Sequence, residues 1–281
     1  RFKDLALYLA ERIDPALKDT VARVALLAKA DLDTQMVGEF SELQGVMGRE
    51  YALIAGEPPE VAQAIYEHYL PTQAGGALPA TDAGAIVSIA DKMDTIAGFF
   101  AVNLIPTGTA DPYALRRQAL GIIHIILAKG YPAPLEGLID RSLALLDAKA
   151  KRPSAETRAD ILEFFRGRLE NLLIAQGTPY DVVDAVLAAG FSDLVRTAKK
   201  IAAMTAFKDH ADFEPLAAAF KRVKNILKDF EARDVDEGLL DLPEEKALHR
   251  AYLDIRARAA GCFDADDYAA ALIEMAKIRP P

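Results

Sequence analysis

Residues 91–118 read DKMDTIAGFFAVNLIPTGTADPYALRRQ. The stretch describes a helix, a shaped break and a second helix with a strong start signal. Asp111 can accept hydrogen bonds from the free backbone donors at a helix start. Pro112 suits the first helical position, where its missing N–H would have had no partner. The glycines, prolines and paired arginines of the break belong to a structured loop rather than a slack linker. Arg116 and Arg117 then fall in the first turns of the second helix, where the macrodipole disfavours cations. They therefore need partners, which can be Asp91, Asp94 or Asp111 within the chain or a phosphate from outside.

The same periodicity runs outward in both directions, and no alternating strand pattern competes with it. Helices are expected over residues 2–11, 15–30, 45–55, 58–69, 82–100, 111–129 and 135–149. A break at Lys151-Arg152-Pro153-Ser154 follows, with Ser154 as cap for the next helix. Further helices are expected over 155–176, 180–189, 193–208, 216–233, 244–260 and 266–277. This is an all-α chain of two helical bundles, with domains expected at 1–152 and 153–281.

The 281 residues are 52% hydrophobic, enough to bury a sizeable core. No apolar run reaches the roughly 20 residues a membrane span needs, so no membrane association is expected. Cys262 is the single cysteine, which excludes an internal disulfide and a cysteine metal cluster and fits a cytoplasmic protein. Arg1 is not a natural start residue, and Pro280-Pro281 is an abrupt finish, so the chain reads as part of a longer one.

The formal charge of −9 argues against a non-specific nucleic-acid binder, but the charge is segregated. Residues 196–228 hold eight bases against three acids, and residues 229–245 hold eight acids against Arg233 alone. Within the basic stretch, Leu216, Phe220, Val223, Leu227 and Phe230 recur at steps of three and four, which makes one apolar stripe. Lys221, Lys224 and Lys228 share a separate face by the same spacing. Such a row can follow a phosphate backbone, and Arg222 and Asn225 can add directional hydrogen bonds. Lys199 and Lys200 extend the patch. A solvated lysine face is the plainer reading of the same pattern.

Ala30-Asp31 lies where a metal-binding His-Asp doublet would sit on a helical hydrolase scaffold, and His68 and Asp91 fall at suggestive later positions. A divalent site needs several imidazole and carboxylate ligands converging on one point. Position 30 is alanine, so Asp31, His68 and Asp91 are read as structural hydrogen-bonding groups. Neither a phosphate-binding glycine loop nor a dinucleotide fingerprint is present.

Residues 42–49 (ELQGVMGR), 67–71 (EHYLP), 91–100 (DKMDTIAGFF) and 106–117 (PTGTADPYALRR) together resemble the beta subunit of bacterial glycyl-tRNA synthetase. Residues 220–227 (FKRVKNIL) resemble that subunit's C-terminal anticodon-binding region. The resemblance implies a degenerate HD-like helical domain followed by a helical-bundle anticodon-binding domain, lacking its last helices. It also implies a subunit of a glycine–tRNA ligase that positions tRNA-Gly within an alpha2beta2 heterotetramer. ATP and Mg would act at the alpha subunit, with no cofactor, metal or catalytic residue on this chain. The tRNA contacts implied are Lys199, Lys200, Lys221, Arg222, Lys224, Asn225 and Lys228, with Arg116 and Arg117. Asp31, His68 and Asp91 would be the degenerate HD positions. A metal-dependent HD phosphohydrolase and a helical interaction module without RNA affinity are the alternatives.

Overall fold

A computed structural model describes residues 1–108, 111–146, 149–228 and 235–278. The chain is all-α, with no strand among the described residues. Its helices are α1 (Phe2–Ile13), α2 (Lys18–Leu27), α3 (Gln35–Glu39), α4 (Val46–Ile54), α5 (Pro59–Glu67), α6 (Asp82–Ala101), α7 (Leu115–Lys129), α8 (Leu135–Leu146), α9 (Ser154–Ala175), α10 (Tyr180–Ala188), α11 (Leu194–Lys208), α12 (Phe213–Leu227), α13 (Pro243–Asp264) and α14 (Tyr268–Ala276). None of them is long and apolar enough to cross a membrane, among the described residues.

The chain forms two compact units. The first is Arg1–Ala175 with Gly190–Val195, and the second is Gln176–Ala189 with Arg196–Pro281. Packing therefore divides later than the 152/153 junction read from the turn chemistry. Helix α9 does start at Ser154, but it packs on α6, α7 and α8 of the first unit. Its Phe164 ring lies 5.2 Å from Phe100 of α6, and Arg158 binds Asp140 and Glu136, both at 2.7 Å.

Helix α6 is the axis of the first unit. It is buried on nearly every side and touches α1, α2, α5, α7, α8 and α9. Its apolar residues point in all directions, as expected of a central helix. Thr81 caps it, accepting from the Gly84 N–H at 3.1 Å. The Thr81 hydroxyl in turn donates to the buried Glu67 carboxylate at 2.5 Å, and the Thr81 N–H donates to the same oxygen at 2.9 Å. Gln63 satisfies the other oxygen at 2.9 Å. This polar knot locks the end of α5 to the start of α6.

Several boundaries differ from the periodicity. The expected helix 15–30 is a 3-10 turn (Pro15–Leu17), then α2, then a second 3-10 turn (Ala30–Asp33). Lys29 between them is left-handed, with φ 69°, and that breaks the helix before Asp31. Helix α7 starts at Leu115, not at Asp111. Asp111 caps it as expected, but across a loop, accepting from the Leu115 and Arg116 N–H groups at 2.8 and 3.0 Å. Ala114 is left-handed there, so Pro112 lies in the loop outside the helix. Expected helix ends at 147–149 and 229–233 fall wholly or partly outside the described residues, as does Phe230 of the apolar stripe.

The second unit is more open. Phe207, Leu216 and Ala276 are buried together, with Phe213, Leu272 and Ile278 against them. Helices α13 and α14 pair as a hairpin, closed by Ile255, Ala259 and Ala271.

Gly84 tests the α5–α6 knot. A Cβ there would lie 2.6 Å from a Glu67 carboxylate oxygen and 2.7 Å from the Glu67 Cβ. Alanine gains about 1 kcal/mol of helix propensity over glycine, whereas overpacking a core costs about 1–3 kcal/mol. Gly84→Ala is expected to destabilise the chain on balance, read as a lower urea midpoint with unchanged m-value.

Candidate functional site

Two places in the molecule gather charge, one in each compact unit. In the first unit, the end of α5 carries His68, Tyr69 and Leu70, whose carbonyls have no partner within the helix. Lys92 of α6 supplies it. Its ammonium donates to the carbonyls of His68 (3.2 Å), Tyr69 (3.4 Å) and Leu70 (2.9 Å) and to the Ser88 hydroxyl at 2.7 Å. A cation at a helix C-terminus also meets the negative end of the macrodipole. Lys92 is only 5% exposed, and burial lowers its pKa to about 8.

Asp31, His68 and Asp91 lie around this turn, and each has an internal role. Asp31, buried, accepts from the Gly45 N–H at 2.6 Å and from the Tyr69 hydroxyl at 3.3 Å. Gly45 has φ 80°, a conformation open to glycine, and any Cβ there would strike the Tyr69 ring. That accounts for the glycine of the ELQGVMGR stretch. His68 is fully buried and its Nδ1 bonds the Ile65 carbonyl. Asp91 is bound by the Lys29 ammonium. Lys29 therefore brings a cation to the carboxylate through the left-handed turn just before the alanine at position 30.

These residues do not fit a divalent ion. Asp91 shares its charge with Lys29, Asp31 is committed to Gly45 and Tyr69, and the doublet lacks its imidazole. Among the described residues no group of three or more His, Cys, Asp or Glu is placed to hold a metal. Lys29 escaped the sequence reading. Its one signal was its place immediately before Ala30-Asp31, where a fixed ammonium can do the charge-balancing work of a metal.

A cavity of about 670 Å³ opens beside this turn, with Lys29, Tyr69, Asp91, Lys92, Tyr113 and Arg117 in its wall. The structure separates the two arginines of the 91–118 stretch. Arg116 donates to the Gly108 carbonyl at 2.7 Å. Arg117 is exposed on the cavity wall and has no hydrogen-bond or ion-pair partner among the described residues.

In the second unit, the eight bases of residues 196–228 also separate. Arg196 and Lys199 both bind Asp266, at 3.0 and 3.1 Å. Lys208 binds Asp181 at 2.6 Å, and Lys200 lies over the Tyr268 ring at 5.6 Å. Lys221, Arg222, Lys224, Asn225 and Lys228, all on α12 or at its end, are exposed and make no ion pair among the described residues. The open cationic surface is thus narrower than the charge count implied. It is α12, with Lys199 and Lys200 engaged with residues 266–268.

The apolar stripe of α12 also departs from expectation. Leu216 is buried, but Phe220, Val223 and Leu227 are about half exposed. They line a groove of about 690 Å³ with Leu240, Leu248 and Tyr252. Only the first turns of the helix pack as an amphipathic pattern predicts. Cys262 is a free thiol of intermediate burial.

Residues 1–188 match the family described as glycyl-tRNA synthetase beta subunit. The chain is 65% identical over 281 residues to a Glycine–tRNA ligase beta subunit of Syntrophus aciditrophicus, covering 100% of this chain and 41% of that protein. It is 57% identical over 279 residues to the protein of the same name in Geobacter sulfurreducens, covering 99% and 40%. The chain spans about two fifths of the length of these curated relatives.

Burial lowers the His68 pKa to about 4 from an ordinary value of 6.5, against the raising effect of the Ile65 carbonyl. A depressed folded value means that protons favour the unfolded chain between those two pH values. Stability is expected to be complete above pH 6.5 and to fall by on the order of 3 kcal/mol by pH 4. Replacing His68 with Asn should flatten that part of the profile in urea titrations run at each pH. Lys92→Met leaves the carbonyls of His68 and Tyr69 without their donor, while Leu70 keeps the Ser88 hydroxyl at 2.6 Å, and about 1–3 kcal/mol of destabilisation is expected, measured the same way.

Proposed function

The chain belongs to the glycyl-tRNA synthetase beta subunit family, and from that premise we propose that it is the tRNA-holding part of a glycine–tRNA ligase beta subunit. In this reading α12 lies along the phosphate backbone of tRNA-Gly, and it contributes no reacting group. Adenylate chemistry, with its ATP and Mg, takes place on an alpha subunit, within an alpha2beta2 assembly in the cytoplasm. The first compact unit serves as a degenerate HD-like scaffold, and the second serves as an anticodon-binding-like region.

The observation that carries this reading is the group Lys221, Lys224 and Lys228, exposed and without an ion pair among the described residues, with Arg222 and Asn225 beside it. In a chain of net charge −9, three cations on α12 and Lys228 just beyond its end make no ion pair among the described residues. Like charges so close repel one another unless an anion covers them. A phosphodiester backbone supplies regularly spaced anions, and binding it releases counterions. Lys199 and Lys200 flank the row as secondary contacts, since one is shared with Asp266 and the other with Tyr268.

The competing HD phosphohydrolase reading needs carboxylates free to take a metal, and the Lys29–Asp91 pair opposes it. The test is tRNA binding by the full chain over a range of salt concentrations, comparing tRNA-Gly with a non-cognate tRNA. Changing Lys221, Lys224 and Lys228 together to glutamate should weaken binding. It should also flatten the slope of log affinity against log salt by about 0.7–0.9 for each phosphate that the variant no longer neutralises. Lys199→Ala should change the slope less than any one α12 lysine. Binding that the triple change leaves intact would remove α12 from the interface.

A further inference from the structure

The cavity in the first unit is not used by the tRNA-holding role argued for α12, and its chemistry is specific enough to name a ligand class. Its volume of about 670 Å³ lies within the range of small-molecule and cofactor sites, about 300–1,000 Å³. Lys29, Lys92 and Arg117 face it, against Asp91 and Glu42. The Lys29–Asp91 pair is closed on itself. Lys92 already donates to four acceptors, more than its three protons can serve singly, so it contributes field rather than a bond. The remaining uncommitted cation is Arg117, an exposed guanidinium whose fork can take two oxygens of one phosphate.

A second feature narrows the class. Tyr113, which also lines the cavity, is 49% exposed. One side of its ring packs on Phe99, with centroids 4.3 Å apart, which fixes the ring while leaving surface open to the cavity. An immobilised aromatic face is a stacking platform for a nucleobase. Lys92, which also lines the cavity, ties the 68–70 turn to α6. The start of α7 does not compete for the anion, since the Asp111 carboxylate already takes its leading N–H groups. Glu42, also on the wall, can accept from sugar hydroxyls.

We propose that this cavity binds a phosphorylated nucleoside, with Arg117 holding the phosphate and Tyr113 stacking on the base. The same chemistry is presented by a free mononucleotide and by one nucleotide of an RNA strand. The site lies in the first compact unit and shares no residue with α12, so its failure leaves the reading of α12 untouched.

The test is calorimetric titration of the full chain with AMP, GMP, CMP and UMP, the unphosphorylated nucleosides, and a short single-stranded RNA. At least one monophosphate, or the RNA, should bind saturably, and the matching nucleoside should bind about tenfold more weakly or worse. Arg117→Ala should lower affinity by about tenfold or more, the loss expected for one charge-assisted contact. Tyr113→Ala should weaken binding while Tyr113→Phe preserves it. Both side chains are exposed, and unchanged circular dichroism and Tm confirm that each variant is folded. If only the RNA shows Arg117-dependent binding, the nucleotide comes from a strand; if a monophosphate shows it, the ligand is a free nucleotide. Absence of Arg117-dependent binding in both arms overturns the proposal. So does nucleotide binding that is abolished instead in the Lys221, Lys224 and Lys228 variant.

Discussion

The first unit depends on one buried ammonium. Lys92 stands on the central helix α6 and ends inside the turn that follows α5, where three carbonyls converge with the Ser88 hydroxyl. Taking a lysine out of water is costly, and its lowered pKa reflects that cost. The three carbonyls would be equally costly if left alone in the same place. Each side's desolvation is offset by the other, which favours this relative placement of the turn and the helix. Glu67 and Thr81 make a second tie a few residues away. Between them, α5, the 68–70 turn and α6 become one rigid piece, against which the Asp31 loop and the wall of the cavity are set.

The same rigidity fixes the surroundings of Asp31, His68 and Asp91. Asp31, His68 and Asp91 remain near one another because the helices that carry them are packed as a unit. A cationic side chain, Lys29, meets Asp91, while Asp31 and His68 hold backbone and phenol groups. The carboxylates thereby become part of the scaffold, and the acid sensitivity expected of His68 is a property of folding rather than of catalysis.

Charge on the second unit follows a different logic. Many of the bases counted in residues 196–228 neutralise acids that lie far away in sequence, Asp266 and Asp181 among them. A one-dimensional count cannot detect such pairing, because these partners meet only after α10, α11, α13 and α14 have packed. Setting the paired bases aside sharpens the patch to α12, whose cations lie on a helix with few neighbours. The same sparse packing leaves Phe220, Val223 and Leu227 half exposed, although their spacing is that of an ordinary buried stripe.

Periodicity and turn chemistry determined the all-α class, nearly all of the helices, the start of α9 at Ser154 and the capping role of Asp111, since these depend on residues within one or two turns of each other. The combination of ELQGVMGR, EHYLP, DKMDTIAGFF and PTGTADPYALRR carried the family. Local pattern missed α3 and misplaced the start of α7, where left-handed Ala114 lets Asp111 reach over a loop. It could not say that Arg116 bonds the Gly108 carbonyl while Arg117 faces a cavity, because adjacent residues on a helix point about 100° apart and only the packed neighbours decide what each direction meets. The partner of Asp91, the burial of His68 and the end of the basic patch were settled by tertiary structure alone. Each depends on which charges the fold brings within a few ångströms, and Coulomb energy and desolvation depend on that distance rather than on separation along the chain.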